Sequence, residues 1–504
     1  FLLDMLDNLP RLRLSDEHLK MFIWVLKELE VAGVPSFFAL RKKQAEIKAN
    51  MKVKSTHHVS AMKNEFYVNS VAQSIRLDLE NPLVRQHMKL YPDQNMKVRE
   101  VMDARKLFPK VEELWQTDLD LLPQMWADLK HSPYRHYYIR EPAQLNDGSY
   151  VAPLRWYTQE NKTYLHAQMH PTYRPRDTAS CSRVRHFLRG CPVDVRLTVT
   201  LENLKESTQW QLAFPHPVRE IAKGRMAVTV NLMIWSDDVS GNVSKQYNAH
   251  TNTYVANLNL PHEKLNQEYF VHFHSTSQFA SSSEQIAALT EGIGRNRWHE
   301  AYDSKLRQEI VYRVVPRTKT GDNPQQSEDC SHIGLNGNYP CRRCKVGGTH
   351  TEKESNEGYE QFFAPSVSRT ATETVREINS QLLHACLGVQ ETVDAMQSEK
   401  GIKDKIAQYW IEILLTKARE QQHARLINPQ TKDQCLKGTL RNQLRPGDHY
   451  NPLLGLDSLD PHEATPMEIL HTYQLGIDKY TWYPTHTQLK DKDAELFCTR
   501  LRST

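Results

Sequence analysis

The chain is poor in the features that hold a secreted scaffold together. It has 8 cysteines in 504 residues, too few for a disulfide framework. Long apolar stretches are also missing. The longest run of large apolar side chains, Met21 to Leu26, falls well short of the twenty or so residues of a membrane helix. No basic-then-apolar leader opens the sequence, which starts on Phe1, so the expectation is a soluble intracellular fragment. Nor is there an excess of charge of one sign. The 64 Lys and Arg against 60 Asp and Glu leave a formal charge of +4, which excludes a histone-like or strongly acidic protein and leaves nucleic-acid binding to local basic patches. Internal repeats and low-complexity tracts are absent. What remains is a polar surface, with 39% hydrophobic residues, over a chain long enough for two to four structural units.

Apolar spacing predicts a helix from Ser15 to Ala32, capped by Ser15, with Leu19, Phe22, Ile23, Leu26 and Leu29 on one face. A second helix is predicted over Phe37 to Ile47, where Arg41, Lys42 and Lys43 read as a solvated face rather than a DNA patch. A third is predicted from Val98 to Leu121. The period then shortens: Tyr137 to Ile139, Tyr150 to Tyr157 and Thr163 to Ala167 read as hairpin strands, and Val193 to Leu201 alternates strictly. Further strands are expected at Met226–Trp235, Thr253–Leu258, Tyr269–Phe273 and Glu309–Val315, with a helix over Ser281–Ile293. From Thr370 to Arg425 the pattern is helical, and a last amphipathic segment runs from Pro466 to Trp482.

The order strand, strand, strand, helix, strand is that of an RNase H-like core, and acids stand at two of its strand ends. Asp237 and Asp238 follow the first strand and Asp322 follows the fourth. Hard cations such as Mg²⁺ or Mn²⁺ require oxygen ligands, and rigid strands can hold two carboxylates at the right separation for phosphodiester chemistry. The competing reading is that these acids only form turns, at Ser236–Gly241 and Gly321–Pro324. Cys341-Arg342-Arg343-Cys344 has zinc-ligand spacing but requires two more ligands. Cys330, His332 and His350 lie near it in sequence, and His471 could come from further away.

Specific strings then carry a resemblance. Trp235-Ser236-Asp237-Asp238-Val239-Ser240-Gly241-Asn242 is followed by Asn259-Leu260-Pro261 and Gln267 to Val271. Next come Gly321-Asp322-Asn323-Pro324, the Cys341–Cys344 motif, and Pro466-Met467-Glu468-Ile469-Leu470-His471. In this order they resemble the Plavaka-type fungal transposases, relatives of the CACTA (CMC superfamily) cut-and-paste elements. The resemblance implies an α/β fold: an RNase H-like mixed sheet core with a helical insertion, preceded by a helical and hairpin-rich N-terminal region. It implies a helical region over 1–130, a hairpin-rich lead-in over 131–220, a core with the Cys-x-x-Cys motif over 221–350, an insertion over 351–460 and an incomplete return to the core over 461–504.

Carried onto this chain, the resemblance implies a DDE transposase. Asp237 (or Asp238) and Asp322 would be its catalytic acids, binding Mg²⁺ or Mn²⁺. Cys341, Cys344 and His471 would be the family's signature thiols and histidine; ligand chemistry, not the resemblance, makes them the expected zinc ligands, with His332 added because it lies near the thiols in sequence. The implied partner is double-stranded DNA, both element ends and target, in the nucleus, with a homo-oligomer holding two ends and no membrane. The family's third acid lies in a helix beyond the His471 segment, and nothing around Glu495 resembles it. Arg317 to Thr320 is also polar where such a core favours an apolar strand end. The alternative is therefore a catalytically inactive remnant, or a domesticated DNA- or protein-binding module.

Overall fold

The computed structural model describes residues 2–8, 14–51, 55–92, 123–128, 135–141, 143–146, 148, 150–159, 162–169, 196–200, 204–205, 215–240, 249–423, 438 and 447–502. The predicted helix over Val98–Leu121 and the turn at Gly241-Asn242 lie outside them. The chain divides into two compact units, Phe1–Thr56 and His57–Thr504.

The first unit holds helices α1 (Leu2–Asp7), α2 (Asp16–Glu28) and α3 (Phe37–Met51). Ser15 caps α2 by accepting from the N–H of His18. Leu3, Leu19, Ile23 and Leu40 form a small core. Three short helices bury only a narrow stripe, so Phe22 and Leu29, expected on the buried face, are exposed. Arg41 belongs to neither a solvated face nor a DNA patch, because its guanidinium bridges Asp7 and Asp16.

In the second unit a seven-stranded sheet is built from β1 (Ser55–Val59), β2 (Glu65–Asn69), β10 (Met226–Ser240), β11 (Ala249–Asn257), β12 (Val271–Ser277), β13 (His299–Asp303) and β14 (Gln308–Thr320). Their order across the sheet is β1-β2-β12-β11-β10-β14-β13. β10 runs antiparallel to β11 and parallel to β14, while β11–β12, β12–β2 and β13–β14 are antiparallel. The parallel pair needs a crossover, which includes α5 (Ser282–Ile293), started by a reciprocal capping box between Ser281 and Glu284.

Alternation sorts the sheet's faces. Val228, Val230, Leu232 and Ile234 are buried in one core with Ile286, Leu289 and Ile293 of α5 and with Val71, Ile75 and Leu79 of α4 (Val71–Glu80). Each such side chain contributes about 1.5–3 kcal/mol when fully buried. The hydroxyl of Tyr312 on β14 donates to the carbonyl of Ala72 and fastens α4 in place. β1 and β2 therefore belong to the central sheet, and α4 packs against it.

The segment before β10 forms a ribbon, β3 (Met125–Asp128) with β4 (Arg135–Tyr138). It also forms a five-stranded sheet of β5 (Ala143–Leu145), β6 (Tyr150–Gln159), β7 (Lys162–Met169), β8 (Arg196–Thr200) and β9 (Leu204–Lys205), in the order β8-β7-β6-β5-β9. The hairpin expected between Tyr150–Tyr157 and Thr163–Ala167 is β6–β7, whereas the strand at Tyr137 pairs with β3, and β5 takes the place expected for it beside β6. After β14 come α6 (Asn323–Asp329) and then α7 (Ala371–Ala385), α8 (Gln390–Lys400) and α9 (Lys405–His423). The last three close around Ile378, Leu382, Trp410, Ile411 and Leu414, as the helical spacing predicts. α8 ends at Gly401, whose φ of 68° favours glycine. The Pro466–Trp482 segment is helical from Leu470 onward, first with π-type and then α-type turns. No described helix is long and apolar enough to cross a membrane.

Candidate functional site

The turn reading of Asp237 and Asp238 does not hold. β10 continues through Ser236, Asp237 and Asp238, which pair with Thr253, Asn252 and Thr251 of β11. No apolar alternation sustains this stretch. It is held by the ladder and by the buried pair of hydroxyls on Ser236 and Thr253, 3.2 Å apart. Asp237 is half-buried and Asp238 exposed.

Parallel pairing of β10 with β14 ends at Trp235 opposite Thr320. Asp237 lies two residues beyond Trp235. Asp322 lies two residues beyond Thr320, in extended backbone with φ −71° and ψ 172°. Strand alternation thus carries Asp237, not Asp238, to the face and level of Asp322. Adjacent strands are about 4.8 Å apart, so two carboxylate-bearing residues leave neighbouring strands at one end of the sheet. Asp322 also caps α6: its Oδ1 accepts from the N–H of Gln325 at 2.8 Å.

The polar stretch Arg317–Thr320 does not break the strand. Arg317 donates to Asn231 Oδ1 at 3.0 Å. Lys319 reaches Asp329 at 2.8 Å with both side chains fully buried. Burial raises the Asp329 carboxyl above its usual range, and the Lys319 ammonium opposes that rise. The pair locks the end of β14 to α6 and so fixes the backbone that carries Asp322.

The Cys341–Cys344 turn is gripped from below by Arg369. This buried guanidinium donates through Nε to the carbonyls of Cys341 (2.9 Å) and Cys344 (3.2 Å), and through its other nitrogens to those of Lys400 and Tyr339. Arg342, between the thiols, donates to Asn323 Oδ1 at 3.2 Å and to Gln326 Oε1. The thiol turn therefore rests on the helix that Asp322 caps. Asn323 also donates to the hydroxyl of Thr472 at 2.8 Å, which brings the Pro466–Tyr473 segment to that same helix. The backbone of His471 lies in this segment, while its side chain lies outside the described residues.

His332 is not poised as a ligand. Its Nε2 donates to the carbonyl of Tyr339 at 2.9 Å and its Nδ1 accepts from the N–H of Gly334 at 3.0 Å, so both ring nitrogens are committed. His462, near the same turn, is spent likewise on Arg342 and Thr374. Cys330 is fully buried against Pro461 and Thr465. Among the described residues no group of three or more His, Cys, Asp or Glu converges as a metal set. Two carboxylates fit Mg²⁺ or Mn²⁺, which take one or two protein carboxylates plus substrate phosphates. Two thiols alone do not complete a zinc site.

Two measurable consequences follow. Burial alone would raise the Cys341 thiol, but the N–H groups of Arg343 and Cys344 and the Cys344 thiol bring it below its ordinary value. Burial pushes the Cys330 thiol up to about 12. Alkylation of the native protein at neutral pH, followed by peptide mass mapping, is expected to modify Cys341 before the described thiols Cys344 and Cys386, and to leave Cys330 unmodified until unfolding. Equal rates would contradict the geometry of the turn.

Burial also lowers His332 from 6.5 to about 4, against the opposing effect of its bond to Tyr339. The unfolded chain protonates this residue below pH 6.5 and the folded chain does not, so its contribution to stability is complete above 6.5 and is lost as pH falls toward 4. In urea melts across that window, His332→Gln is expected to flatten the decline by about 1 kcal/mol per pH unit. An unchanged slope would show that the imidazole is already protonated in the native state.

A family profile described as a domain of unknown function (DUF8591) matches residues 125–228, from β3 to the first residues of β10. No curated protein matches the chain.

Proposed function

We propose that this chain is a transposase-derived protein with an RNase H-like core of DDE type, acting on double-stranded DNA in the nucleus as a homo-oligomer that holds two element ends. The observation that carries the reading is register: Asp237 and Asp322 leave adjacent parallel strands at one level. The sheet order β12-β11-β10-β14, with β14 alone parallel to β10 among these registers, also supports it.

Mg²⁺ or Mn²⁺, when bound, supplies Lewis-acid activation of the attacking oxygen and charge stabilisation of the leaving one. Asp237 and Asp322 are the residues that would hold it. The buried Lys319–Asp329 pair and the Arg342 contacts to α6 keep the Asp322 backbone in place. Water is the nucleophile for cleavage and a 3′-hydroxyl for joining, and no covalent enzyme intermediate is required. The test is nicking of supercoiled plasmid by the full chain: nicked circles in Mg²⁺ or Mn²⁺ and none in chelator.

One observation favours the alternative of a binding module that no longer cuts: no third acid joins the two aspartates among the described residues. Salt-dependent DNA affinity without nicking in either metal would establish it.

A further inference from the structure

Beside Asp237 the sheet carries a row of partly exposed aromatic rings. Trp235 on β10 stacks on Tyr254 of β11, with centroids 5.2 Å apart and planes at 26°, and Tyr254 meets the edge of Phe273 on β12 at 5.5 Å. Register makes these residues direct cross-strand neighbours, Trp235 opposite Tyr254 and Tyr254 opposite Phe273. They lie on the face away from α4 and α5, whose side holds the buried Ile234, Ser236, Thr253 and Val255. Trp235 is 38% exposed and Phe273 43%.

The next row on the same face runs Asp237, Asn252, Thr276 and Tyr67 across β10, β11, β12 and β2. It holds donors and acceptors and no aliphatic side chain. On the flank of Trp235 away from Tyr254, its register partner is the small Thr320, whose hydroxyl is turned back to the carbonyl of Ile234.

We propose that this three-ring ladder is a stacking site for unpaired nucleobases of the DNA strand whose phosphate lies at Asp237. Asp237 lies two residue steps from Trp235, about 7 Å along one face. Flat apolar rings flanked by amide and hydroxyl groups match a base, which has apolar faces and polar edges. Neither row holds an aliphatic side chain, and stacking of a base requires only a flat ring with polar groups at its edge. The ladder is continuous with the acid that the nuclease reading assigns, so the inference deepens that reading and rests on it for the position of the phosphate.

The test is binding of a fluorescent oligothymidylate and of a blunt duplex of similar length to the full chain, in chelator and about 50 mM salt so that electrostatic attraction is retained. Phe273→Leu and Trp235→Leu are each expected to weaken single-strand binding roughly tenfold. Both should leave duplex binding unchanged and the circular-dichroism spectrum that of the folded chain, with the melt lowered by only a few degrees for the lost ring contact, and Phe273→Tyr should retain affinity. Oligonucleotides with 2-aminopurine should be quenched by the wild-type chain and not by Trp235→Leu. Undiminished single-strand affinity in both leucine variants, equal loss on single strand and duplex, or no single-strand binding by the wild type would overturn the proposal. Because no metal is present, a failure of plasmid nicking with base stacking intact would sink the nuclease reading alone.

Discussion

Asparagine in place of Asp322 is expected to lower metal-dependent plasmid nicking by about 10³-fold, the equivalent of several kcal/mol of transition-state stabilisation. The substitution is unusually clean. Asp322 caps α6 through Oδ1, and asparagine caps a helix as well as aspartate does, so the carboxylate charge is lost while the helix start is retained. Asp322→Ala would remove the cap too, at about 1 kcal/mol, and confuse the two effects. Asp237→Asn should match Asp322→Asn, whereas Asp238→Asn, on the other face of β10, should nick at near the wild-type rate. Nicking that survives Asp322→Asn would remove the carboxylate pair from the chemistry. Nicking lost in Asp238→Asn and kept in Asp237→Asn would reverse the face assignment.

The largest stability effect is expected at the buried ion pair. Asp329→Ala should destabilise the second unit by about 3–5 kcal/mol, because it leaves the Lys319 ammonium in the interior without its carboxylate. Gln325 also loses the Asp329 oxygen to which it donates at 3.0 Å. The companion variant Lys319→Met/Asp329→Leu should recover most of the loss, since well-packed apolar residues often replace a buried pair without penalty. Urea unfolding of the three proteins tests this. A cost for Asp329→Ala below about 1 kcal/mol would mean that Lys319 reaches solvent in the variant and that the pair does not anchor β14 to α6.

These two sites also mark how far the sequence can be read. The apolar body of β10, Met226 to Trp235, was legible because it is a long apolar run that includes β-branched residues. Its continuation through Ser236-Asp237-Asp238 was not, since those residues have turn composition and are made strand by their β11 partners. β13 was missed for a similar reason: His299–Asp303 has little apolar character and is strand because it pairs with β14. Lys319 lay past the predicted strand, in a stretch too polar for an apolar strand end, and only the position of Asp329 at the end of α6 explains how an ammonium can be buried there. His332 illustrates the opposite failure. Its type and spacing suggested a ligand, but backbone groups that no sequence pattern reveals occupy both its nitrogens. The aromatic ladder required register, including the irregularity between Thr253 and Tyr254 that brings Phe273 opposite Tyr254.

The pairing of Tyr67 with Thr276 has a consequence for the chain as it is being made. β2 precedes its sheet partner by some two hundred residues, which at about 5–20 residues per second is roughly ten to forty seconds of synthesis. Until then Phe66 and Val68 lack the Ala280 and Ala288 surface that buries them, and one edge of β2 offers unmatched backbone groups. A ribosome-bound nascent chain stalled before β12 should therefore recruit holding chaperones through this hairpin and release them once α5 has emerged.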